Sequence, residues 1–212
     1  MSVELATIVD TPKQNEATEP IDFERLIQLV HNIPYIQDCK RNKKRDTSSL
    51  SYLITRELSQ SDCIKLGIAV EKYLTACIEK FTILDNIRKP NKKGKKEKDI
   101  LFKDQEQKII YYVEVKNNLN LDTEKCKSTY EKCVKIKEEL DINDYTIKWC
   151  LLGARYLHYN DMPCNIKSKY LSIKDNLFGV NQFFELFKIN NTLTNDSYKV
   201  LLNTIANDCF ND

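Results

Sequence analysis

Residues 98–116 read KDILFKDQEQKIIYYVEVK: an acid, Asp99, enters a short apolar run, a polar stretch follows, and a second apolar run ends in Glu114-Val115-Lys116. Side chains alternate along a strand. A strand through residues 109–116 therefore places Glu114 and Lys116 on one face and Val113 and Val115 on the other. If residues 100–102 pair with it as a hairpin across a turn at residues 103–108, Asp99 comes near Glu114. The turn carries no Asn-Gly signal of the kind that marks tight hairpins.

Outward from this stretch, helical and extended patterns alternate. Ser61 precedes Ile64, Ile68, Leu74 and Ile78, which recur near helical spacing and predict a helix over SDCIKLGIAVEKYLTACIEKFTIL, capped by Ser61. Beyond Leu119, Asp122 or Thr123 begins a second long helix, TEKCKSTYEKCVKIKEEL, which stops around residues 141–144. YTIKWCLL, residues 145–152, reads as a buried strand. Nearer the N-terminus, helical spacing over residues 21–30 halts near Pro34, and the basic, Ser/Thr-rich residues 40–51 read as a loop. Residues 1–20 carry Pro12 and Pro20 without periodicity and read as a flexible tail or arm. From Gly153 onward short strand-like and helical pieces alternate, with Asn-rich turns at Asn190-Asn191 and Asn195. The order helix, strand, strand, helix, strand predicts an α/β (α+β) fold. Its central mixed β-sheet is flanked by helices, with residues 21–212 forming a single domain.

Composition bounds the function. At 212 residues and 42% hydrophobic content, the chain can bury the core of one domain. It has no run of 18 or more apolar residues, and MSVELATIVDTPKQ has neither a basic nor a long apolar leader region. Neither membrane insertion nor secretion is expected, and an intracellular, cytoplasmic location is. The eight cysteines are scattered with no Cys-X2-Cys pair, and His31 and His158 lie far from any cysteine cluster. Reduced thiols are expected, and a structural zinc site is not. Cys126 and Cys133, seven apart on the second long helix, share a face and read as packing residues.

The net charge of +2 conceals two basic runs, seven of eleven residues in 88–98 and five of six in 40–45. Both are candidate phosphate-contacting segments, and each is equally readable as a solvated loop in a Lys- and Asn-rich chain.

Glu-X-Lys occurs twice here, at Glu106-Gln107-Lys108 and at Glu114-Val115-Lys116. The first lies in a polar turn, where its side chains are solvated. The second follows an apolar run, so its ionisable groups emerge from a rigid, half-buried strand. Two carboxylates and a lysine at one point are the parts of a metal-dependent phosphodiester hydrolase.

Asp99, fifteen residues before a strand-borne Glu114-Val115-Lys116, with a helix before and a helix after, resembles the PD-(D/E)XK nuclease superfamily, which includes most type II restriction endonucleases. The resemblance covers roughly residues 61–152. It departs from the family at Lys98, where a proline frequently stands. What it implies is a restriction-endonuclease-like core with one or two magnesium ions. Asp99, Glu114 and the carbonyl of Val115 would hold them, joined by Glu71 from the preceding helix. It also implies a water oriented by Lys116. The implied activity is site-specific double-strand cleavage of DNA by a homodimer acting on a palindromic target.

Candidate DNA contacts are Lys40, Arg41, Lys43, Lys44 and Arg45 in one basic run and Lys92, Lys93, Lys95 and Lys96 in the other. Asn117, Asn118 and Asn120 beyond the motif join them, as does Lys125 on the following helix. Asn117 and Asn118 are equally readable as a turn into that helix. Two other functions remain open: a repair, recombination or nicking nuclease with the same core, and a non-catalytic nucleic-acid-binding protein.

Overall fold

The structure, a computed structural model, describes residues 20–41, 60–88, 98–140 and 144–210. Helices α1 (Phe23–His31), α2 (Pro34–Arg41) and α3 (Gln60–Phe81) lead into strands β1 (Asp85–Asn86), β2 (Ile100–Asp104) and β3 (Ile109–Lys116). Helix α4 (Thr123–Leu140) then connects to β4 (Thr146–Gly153). A short helix α5 (Cys164–Lys169), strand β5 (Leu177–Phe178), and helices α6 (Val180–Leu186) and α7 (Asn195–Phe210) follow.

The sheet is mixed, as expected. Its strands lie in sequence order, with β1, β2 and β3 antiparallel and β3, β4 and β5 parallel. A parallel neighbour needs a crossover, and α4 supplies it between β3 and β4. Strand β3 is buried on both sides, which is why it reads as the near-continuous apolar run IIYYV. On one side Ile100, Phe102, Tyr111 and Val113 join the main core with Val70, Leu74 and Ile78 of α3 and Leu201 and Ile205 of α7. On the other side Leu101, Ile110 and Tyr112 pack against Cys133 and Ile136 of α4. Cys126 and Cys133 are buried packing residues.

Several local expectations need correction. Pro34 does not merely stop α1; it opens α2 at the first helical position, where its missing N–H costs nothing. Helix α2 runs to Arg41, so Lys40 and Arg41 close a helix rather than start a loop. Helix α3 begins at Gln60, which puts Ser61 inside the first turn instead of at the cap. It ends at Phe81, where Thr82 turns its hydroxyl back onto the carbonyl of Ile78 at 2.8 Å. Asn195 is not a turn but the first residue of a 16-residue helix, α7. Ser197 N–H donates to Thr194 Oγ1 at 3.2 Å at its start, and Tyr198, Leu201, Ile205 and Cys209 form its buried stripe. The expected arm over residues 1–20 lies outside the described residues except for its last position.

Among the described residues, no helix is long and apolar enough to cross a membrane.

Candidate active site

The β2–β3 hairpin builds the site. Ile100 pairs with Val113, and one step further along the same antiparallel register Asp99 stands opposite Glu114. Strand alternation sends both acids to the α4 side of the sheet, together with Tyr112 and Lys116. Asp99 is tied down by the Val115 backbone N–H, which donates to its Oδ2 at 2.8 Å.

Glu114 has no exposed surface. An isolated buried carboxylate costs several kcal/mol, so its environment must compensate. Three donors do so: Lys116 Nζ lies 2.5 Å from Oε1, Lys132 Nζ lies 2.6 Å from Oε2, and the Tyr112 hydroxyl donates to Oε2 at 2.9 Å. Lys132, from α4, also lies 3.8 Å from Asp99 Oδ1. Two carboxylates and two ammonium groups thus meet at one point, at the α4 end of a rigid hairpin.

The two acids are pushed in opposite directions. Burial, and then the neighbouring Glu114 charge, raise the Asp99 carboxyl to about 6, with Lys132 and Lys116 pulling only partly the other way. Burial also works against the Glu114 charge, but Lys116 and Lys132 outweigh it and hold this carboxyl below its usual range. Burial disfavours the Lys116 ammonium as well, yet Glu114 and then Asp99 overcome it and keep its pKa above the ordinary lysine value. Burial and the Glu114 charge raise Tyr112, so the phenol stays a proton donor. The same two causes push the Cys133 thiol up to about 12. Opposed shifts of this kind accompany catalytic sites and structural ion-pair networks alike.

Glu71 has a different partner. It projects from α3, the helix on the opposite side of the sheet, and its Oε1 accepts from Arg88 Nη1 at 2.5 Å. Among the described residues no group of three or more His, Cys, Asp and Glu side chains is placed to hold a metal ion, and the described partner of Glu71 is Arg88 rather than Asp99 or Glu114. The donor chemistry of the remaining pair does fit magnesium. This ion takes one or two protein carboxylates and completes its octahedron with waters and substrate phosphates. Asp99 Oδ1 and Glu114 Oε2 both face the Lys132 ammonium, at 3.8 and 2.6 Å.

No family model, curated protein or solved structure matches the chain.

Of the expected site residues, the fold brings together Asp99, Glu114, Lys116 and the backbone of Val115. Asn117, Asn118 and Asn120 form the turn beyond β3. The Asn120 N–H donates to Asn118 Oδ1 at 2.9 Å, and Asn120 Oδ1 accepts from Lys169 Nζ at 3.2 Å. The turn enters α4 through Asp122, whose Oδ1 accepts from the Lys125 N–H at 2.8 Å, with the Lys125 ammonium 3.2 Å from Oδ2. Lys43, Lys44, Arg45, Lys92, Lys93, Lys95 and Lys96 lie outside the described residues, as do the side chains of Lys40 and Arg41.

Lys132 and Tyr112 are the site members that sequence reasoning missed. A signal for Lys132 existed. Thr129, Cys133 and Ile136 are the buried stripe of α4, and Lys132 falls at the i+3 position within it. A lysine there either snorkels outward or meets a buried acid, and the strand before α4 carries one.

Proposed function

We propose that this protein is a magnesium-dependent endonuclease of the type II restriction kind, hydrolysing phosphodiester bonds to make site-specific double-strand breaks in DNA. The observation that carries the reading is the meeting of Asp99, Glu114 and Lys116 at one buried point. All three were expected from the hairpin that carries them together with the resemblance to the PD-(D/E)XK superfamily.

Asp99 and Glu114 are the residues that would hold the magnesium, with the Val115 carbonyl as a further ligand. Bound there, the ion would supply Lewis-acid stabilisation of the charge that develops on the phosphoryl and leaving oxygens. Lys116 would orient the attacking water. Its proton is held by Glu114 and Asp99, and any second cation drawing on those acids weakens that hold and favours proton acceptance. Burial of Glu114 and its contacts with Tyr112, Lys116 and Lys132 would hold it in the fixed position that in-line attack needs. A palindromic target would require a two-fold homodimer, each site cutting one strand. The basic runs at residues 40–45 and 88–98 would approach the backbone.

Digestion of a defined plasmid with magnesium tests this. Discrete fragments with uniform ends are expected. Cutting confined to branched or nicked DNA would replace restriction with repair or recombination. DNA binding that persists in EDTA without any cleavage in magnesium would make the protein a non-catalytic binder.

A further inference from the structure

We infer that the Lys132 ammonium occupies the position a divalent cation takes between Asp99 and Glu114, so that cation binding has to displace it. The identity of the cation rests on the nuclease reading above; the position rests on geometry. Of the four carboxylate oxygens, Asp99 Oδ2 accepts from the Val115 N–H and Glu114 Oε1 faces Lys116 Nζ. The other two, Asp99 Oδ1 and Glu114 Oε2, face Lys132 Nζ at 3.8 and 2.6 Å. No other ammonium is shared by both acids among the described ion pairs, and it arrives from α4 rather than from the hairpin that carries them.

Lys132 therefore has a role that Lys116 does not. Lys116 belongs to the strand and touches only Glu114 among the ion pairs, whereas Lys132 bridges the two acids. Two acids and two ammonium groups leave the site formally neutral. A divalent ion placed between the acids while Lys132 stays would meet a positive charge at ligand distance, and the two cations exclude each other. The Lys132 side chain is 18% exposed and sits on a flexible stem from α4, so its ammonium can swing out while the hairpin stays in place. Its function is to keep the acid pair compensated until a cation and substrate arrive, which makes the site demand a cation concentration high enough to outcompete a tethered one.

Manganese, read by the loss of its free paramagnetic signal, is the probe. Wild type, Lys132→Gln and Lys132→Arg are titrated without DNA. The Gln variant keeps a donor to Glu114 but removes the competing charge, and its manganese affinity should rise by about tenfold or more. The Arg variant keeps the charge and adds a bidentate fork, so its affinity should fall below that of wild type. Adding Asp99→Asn to Lys132→Gln should remove the gain. Unchanged or weaker binding by Lys132→Gln, or binding by Lys132→Arg as tight as by Lys132→Gln, overturns the inference. If Lys132→Gln fails to fold by circular dichroism, the comparison of Lys132→Arg with wild type still decides. Cleavage of DNA with no response of manganese affinity to position 132 would refute the displacement and leave the nuclease standing. A tenfold response without any cleavage would do the reverse.

Discussion

Replacing Asp99 by Asn should make the resting protein more stable, and only above a definite pH. In the folded chain the Asp99 carboxyl is raised from 3.8 to about 6, first by burial and then by Glu114. Below about pH 4 the group is protonated in both states and contributes nothing. Between about pH 4 and pH 6 the unfolded chain loses this proton while the folded one keeps it, so stability falls as pH rises. Above about pH 6 both states are ionised and the deficit is constant. A shift of roughly two pH units, at about 1.4 kcal/mol each, makes that deficit on the order of 3 kcal/mol. Asn imitates the protonated acid and keeps an oxygen for the Val115 N–H. Urea denaturation in EDTA at several pH values measures the effect. Wild type and Asp99→Asn should coincide near pH 4, diverge through pH 6, and differ by about 2–3 kcal/mol at pH 8, with the variant the more stable. A variant equal to or less stable than wild type at pH 8 would refute the reasoning, because Asp99 would then be an ordinary stabilising ion-pair partner.

Breaking the pair on the other side of the sheet should act differently. Glu71→Gln turns the 2.5 Å ion pair with Arg88 into a neutral hydrogen bond, so stability should drop by up to about 1 kcal/mol in denaturation. DNA cleavage, measured on the same preparation at a temperature where both proteins are folded, should stay within about tenfold of wild type; a loss as deep as that of a Glu114 variant would return Glu71 to the site. Gly179→Ala should be severe. A Cβ there would lie 2.4 Å from the backbone carbon and oxygen of Leu157 and 2.5 Å from the His158 nitrogen, and backbone cannot give way as a side chain does. Loss of at least about 2 kcal/mol in thermal melts is expected, and a wild-type melting curve would show that the β5–α6 junction is looser than described.

What could be read from the chain follows the physics of each element. Strands β2 and β3 were legible because burial on both sides demands apolar runs, β4 because its second half, Cys150 to Leu152, is a buried apolar run, and α3 and α4 because amphipathic spacing persists over several turns. Strands β1 and β5 were not legible, since two residues carry no period. Helix α7 was hidden by Asn195, Asn203 and Asn207, whose turn propensity masks the buried stripe from Tyr198 to Cys209. In the site, Asp99, Glu114 and Lys116 were legible because two of them share one strand and the hairpin fixes the third. Lys132 was only half legible: its place in the buried stripe of α4 marked it, but its partners are 33 and 18 residues away and only the packing of α4 on β3 joins them. Glu71 was put forward by family resemblance alone, and its neighbour Arg88 engages it at the opposite side of the sheet.

The most direct test of the central claim is a comparison of DNA cutting with DNA binding in the isosteric variants Glu114→Gln and Lys116→Gln. Both are assayed on plasmid in magnesium for cleavage and on the same DNA in calcium for retention. Cleavage should fall by roughly 10²-fold or more in each variant while binding stays within several-fold of wild type. Wild-type-like cleavage by Glu114→Gln would contradict the assignment of the buried hairpin cluster as the catalytic centre.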